Sequence, residues 1–108
     1  MVRIGGGTPA GAGVAATRLI GDGATGLVSF GLAGGLHPAL RPGMVIVASD
    51  VLSDGEQLSA DTKLAARFGG VTGHVVLAGT SVVAEAAAKR ALFAATRADA
   101  VDLESGVV

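Results

Sequence analysis

The chain has no cysteine, tryptophan or tyrosine, and only three phenylalanines and three prolines in 108 residues. Without cysteine there are neither disulfides nor thiolate metal sites, and a cytoplasmic location is expected. With aromatics at 3%, a base-stacking nucleic-acid surface is excluded. Basic runs are also missing: Lys63, Arg67, Lys89, Arg90 and Arg97 are spread through helical patterns, where they read as a solvated face. No apolar stretch follows Arg3 as a signal peptide would require. The segment from Gly23 to Leu40 lacks Asp, Glu, Lys and Arg, but its glycines, His37 and Pro38 interrupt any membrane span.

What is abundant is small and apolar. Half of the residues are hydrophobic, eighteen are glycine, and the net charge is −1. A chain of this length builds one domain, expected over residues 1–108. Val2-Arg3-Ile4 reads as the end of a strand. Thr8 is an N-cap with Pro9 at the first helical position, and that helix stops at Gly21. Leu27-Val28-Ser29-Phe30 reads as a short strand, and "MVIVASDVL" (Met44–Leu52) as a strand covered on both faces. Asp54-Gly55 is a turn. A helix is expected from Ser59 or Asp61 to just before Gly69-Gly70, a strand over His74–Ala78, a helix over Ala84–Thr96 and a strand over Ala100–Leu103, with a helix starting at Glu104. This alternation predicts an α/β fold: a three-layer sandwich of a mixed, mostly parallel sheet with flanking helices.

Three stretches carry chemistry. "GGGTPA" fits a dinucleotide-binding glycine pattern, but the following strand ends Ser29-Phe30-Gly31 and has no ribose-binding acid. Gly5, Gly6 and Gly7 remain candidate phosphate contacts, because N–H groups at a helix start attract anions. In "SFGLAGGLHPALRPG" small residues end a strand, where open α/β sheets bind ligands. "AVDLESGVV" sets Asp102 and Glu104 two residues apart, on one face if the strand runs through both. A carboxylate only accepts hydrogen bonds, so Glu104 suits the two donors of a sugar diol. His37, His74, Asp50 and Asp54 read as loop, strand-edge or turn residues. No spacing supports a metal site, and G-x-S-x-G is absent.

"FGLAGGL", "LRPGMVIVASDV" and "AVDLES", in that order, resemble the superfamily of purine nucleoside phosphorylases and methylthioadenosine nucleosidases. Within it, "SFGLAGGLHPALRPG" with "KRALFAATRADAVDLESG" looks most like the hopanoid-associated phosphorylases. The resemblance implies cleavage of the N-glycosidic bond of an adenine nucleoside, with an adenosyl-hopanoid as one candidate substrate and phosphate or water as nucleophile. It implies base contacts at Leu32, Ala33, Gly34, Val82 and Val83, and ribose contacts at Asp102, Leu103 and Glu104. Many relatives have methionine where Leu103 stands. It also implies that the proton donor to the departing base lies outside this chain and that the domain is incomplete at both ends. No cofactor is expected beyond inorganic phosphate as co-substrate; the partners expected are a small nucleoside and further copies of the chain, with no nucleic acid and no membrane span. The competing expectations are a non-catalytic fragment and a nucleotide-binding α/β module.

Overall fold

A computed structural model describes all residues, Met1–Val108. Helix α1 spans Pro9–Gly21. Thr8 is extended, and its hydroxyl accepts a hydrogen bond from the Gly11 N–H, which fixes where the helix starts. A short α2, Thr62–Ala66, begins where Asp61 Oδ1 accepts from the N–H groups of Lys63 and Leu64. Helix α3 covers Ala86–Thr96 and ends at Arg97 in the left-handed conformation. The strands are β1 (Gly34–Gly35), β2 (Asp50–Ser53), β3 (Glu56–Ser59), β4 (Val75–Ala78) and β5 (Ala100–Asp102). They form one mixed sheet in the order β1-β5-β4-β2-β3. Its centre is parallel, β2 beside β4 beside β5, and antiparallel β1 and β3 lie at the edges.

Register assigns the faces. Leu52, Leu77, Val101 and Gly34 are successive partners across β2, β4, β5 and β1. Leu52, Leu77 and Val101 pack with Leu92 and Phe93 of α3, so α3 covers that face. One residue further along, Ser53 and Ala78 point the other way. A single-turn 3-10 helix, Ser105–Val107, lies over them, with Gly106 against Ala78 and Ser53, and α1 packs on that turn. Helix, sheet and helix therefore make three layers, as expected for an α/β fold. Five of the eight buried residues are alanine, so the layers meet through small side chains.

Several elements differ from expectation. Val2–Ile4 and Leu27–Phe30 form no strand; on this edge of the sheet the ladder pairing is confined to Gly34 and Gly35. Of "MVIVASDVL", only the end enters the ladder. Before it, Val47 and Ser49 bond to Thr72 and His74, with the Thr72 hydroxyl as one of the partners, too irregularly to close a ladder. Glu56–Ser59, read in part as a helix start, is a strand. Asp54 (φ 50) and Gly55 (φ 80) both adopt the left-handed region, as a tight two-residue hairpin requires. The helix expected from Glu104 is a single 3-10 turn.

Candidate functional site

The C-terminal ends of parallel β4 and β5 open into a cavity of about 320 Å³ lined by Gly7, Leu32, Ala33, Gly34, Ser81, Val82, Val83, Val101, Asp102, Leu103 and Glu104. That is the lower end of the size range of small-molecule sites, at the strand ends where α/β sheets bind ligands. The structure thus brings the glycine–alanine bend, the Val82-Val83 segment and the terminal acids, which lie far apart in sequence, around one space. β5 supplies Val101 and Asp102; the loop leaving it supplies Leu103 and Glu104. The loop after β4 supplies Ser81 to Val83, and the extended chain entering β1 supplies Leu32 and Ala33.

The two acids are held differently. β5 ends at Asp102, so the strand does not run through both residues. The Asp102 carboxylate turns toward its own chain: Oδ2 accepts from the Ser105 hydroxyl at 2.5 Å, and both oxygens lie 3.2 Å from the Ser105 N–H. Glu104 reaches the opposite wall. Its Oε1 accepts the Gly7 N–H at 2.8 Å, and its Oε2 lies 3.8 Å from where a Gly31 side chain would begin. The Glu104 carboxylate therefore bridges the loop before α1 and the bend before β1. It has lone pairs left over for a ligand.

Gly6 and Gly7 both take a positive φ (73 and 72), a conformation in which a side chain would be strained. Of the three candidate phosphate contacts, only Gly7 lines the cavity, and its N–H is taken by Glu104. The rim is apolar: Leu32 is fully exposed and Val82 is 80% exposed.

The histidines stay outside this cavity. His37 Nδ1 accepts the Ala39 N–H, and its ring meets Phe93 edge-on with centroids 5.0 Å apart. His74 Nδ1 lies 2.7 Å from the Thr72 hydroxyl. Asp50 is on the β2–β3 hairpin, where the Ser59 hydroxyl donates to it at 2.8 Å. That bond, followed by bonds with Gln57 and Ser49, holds its carboxyl below the ordinary value of 3.8. No group of three or more acidic or histidine side chains gathers to hold a metal ion, and no helix is long and apolar enough to cross a membrane.

Sequence reasoning missed Ser81, Val101 and Ser105. Ser81 precedes Val82 directly and Val101 precedes Asp102, so adjacency was the available signal. Ser105 follows the acids, but only the turn of the chain reveals that it captures Asp102. The family model described as the phosphorylase superfamily matches residues 1–108. No curated protein and no solved structure matches the chain.

Proposed function

The chain belongs to the phosphorylase superfamily, the class of nucleoside phosphorylases and nucleosidases, and from that premise we propose that it cleaves the N-glycosidic bond of an adenine nucleoside. The carrying observation is that Glu104, Leu103 and the Leu32–Gly34 bend line the same cavity. In this reading Glu104 accepts hydrogen bonds from the 2′ and 3′ hydroxyls of ribose, and Leu103 packs on the sugar. Ala33, Gly34, Val82 and Val83 enclose the base. Asp102, tied to Ser105, lends its negative charge and holds the strand end in shape.

The chemistry follows from charge. As the bond from C1′ to the base nitrogen lengthens, its electron pair leaves with the base and the sugar gains positive, oxocarbenium-like character. Two nearby carboxylates stabilise that charge. Phosphate or water then adds an oxygen to C1′ and gives up a proton, the departing base takes up one proton, and the products are the free base and the sugar 1-phosphate or free sugar. The exposed apolar rim of Leu32 and Val82 supports a substrate with an apolar substituent on the sugar, such as an adenosyl-hopanoid.

Adenine release from adenosine and from an adenosyl lipid, measured with and without phosphate, tests the reading. Charge-assisted hydrogen bonds contribute about 1.5–3 kcal/mol each. Glu104→Ala is therefore expected to lower kcat/KM about 10- to 150-fold per bond lost, with the circular-dichroism spectrum unchanged. Undiminished turnover in that folded variant rejects the assignment.

A further inference from the structure

The glycine loop before α1 is built around the Glu104 carboxylate. A side chain at Gly5 would start 2.8 Å from Glu104 Oε1 and 3.0 Å from the Ala12 Cα, so the carboxylate would have to shift to admit it. Glu104 Oε1 thus occupies the room that a Gly5 side chain would need. The loop also lies close against α1: a side chain at Gly11, in the first turn of α1, would overlap the Gly5 carbonyl, so the Gly5 peptide rests directly on the helix. Two residues on, the Gly7 N–H donates to the same oxygen at 2.8 Å. The turn that aims this N–H back at Glu104 passes through positive φ at Gly6 and Gly7.

We infer that Gly5 and Gly7 are positioning residues for Glu104: the bare Gly5 backbone and the Gly7 N–H fix one carboxylate oxygen, leaving Oε2 as the oxygen turned to the ligand. The inference rests on the reading of Glu104 as the ribose-binding residue. It assigns the loop a role different from phosphate capture, since the N–H that faces the cavity already has an anionic partner. A carboxylate fixed at one oxygen loses little further freedom when the sugar binds. The sugar hydroxyls it accepts then meet at that free oxygen. Displacing the carboxylate by a few tenths of an ångström weakens those bonds and leaves base contacts intact.

The first test is kinetic. Gly5→Ala is expected to lower kcat/KM for adenosine about 10-fold or more, and to add nothing to the loss already caused by Glu104→Ala, because interacting sites are not additive. With 2′,3′-dideoxyadenosine, which has no hydroxyl for Glu104, Gly5→Ala is expected to match the wild type. Equal losses on both nucleosides, or full additivity with Glu104→Ala, overturn the inference. The second test needs neither activity nor a Gly5 variant that folds. In isotope-labelled protein, Glu104→Ala is expected to speed hydrogen exchange of the Gly7 amide about 10-fold or more and shift its resonance upfield. Glu104→Gln, which keeps an acceptor oxygen, is expected to restore both. A Gly7 amide indifferent to Glu104→Ala overturns the positioning role. A responsive amide in a protein that releases no base from any nucleoside upholds the strut and instead rejects the proposed function.

Discussion

Glu104 and Asp50 are both carboxylates beside hydrogen-bond donors, yet their surroundings give them different work. Glu104 takes a backbone donor from a loop 97 positions away in sequence and faces a cavity. Asp50 takes hydroxyl and amide donors from its own hairpin and the residue before it, and lies outside that cavity. The Asp50 bonds favour its charged form, so its folded value lies below 3.8. The sign follows: its contribution to folding is fully present above the unfolded value and is lost as pH falls through the lower, folded one. Ser59→Ala removes the largest cause and is expected to raise the Asp50 value toward 3.8, seen as a shifted carboxyl-carbon titration. The Asp102–Glu104 pair stands out in sequence because two acids end an apolar run. Their separate fates do not, because they depend on where β5 stops and on the Ser105 hydroxyl.

At the scale of elements, caps and turns could be read directly while strand extents could not. Thr8, Pro9 and Gly21 delimit α1 through local backbone geometry alone, and structure and expectation agree there. β3 escaped notice because all four of its residues are exposed and carry no apolar alternation; its neighbour β2 makes it a strand. Conversely, Leu27–Phe30 has strand composition but no strand beside it, and composition cannot supply a partner. Two glycines test how tightly the elements meet. A side chain at Gly106 would meet the Ala78 Cβ at 2.6 Å and the Ser53 Oγ at 2.7 Å, whereas one at Gly13 in α1 meets nothing. Gly106→Ala is expected to destabilise by about 1–3 kcal/mol through overpacking. Gly13→Ala should stabilise by about 0.5–1 kcal/mol through helix propensity. Urea-denaturation midpoints moving in opposite directions would confirm the pair.

At the scale of the whole molecule, the surface is large for the mass. A compact monomer of 10.4 kDa exposes roughly 5,400 Å², and this chain exposes 7206 Å², about a third more. Large apolar side chains share in that exposure, with Phe30 93% and Leu32 fully exposed. An environment-sensitive dye such as ANS is expected to bind the folded protein, and Phe30→Ser with Leu32→Ser to cut its fluorescence about twofold or more, the two side chains being the most exposed of the band. Unchanged fluorescence would place the dye elsewhere. Taken alone, the order of residues determined the α/β class, the helix caps and the identity of the acids and small residues that line the cavity. These rest on local backbone preference, hydrophobic period and side-chain chemistry, which act over a few positions. Tertiary structure alone decided which apolar runs became strands, which acid reached across to the glycine loop, and which glycine carried the donor that holds it. Those outcomes depend on partners distant in the chain, and local chemistry cannot say who they will be.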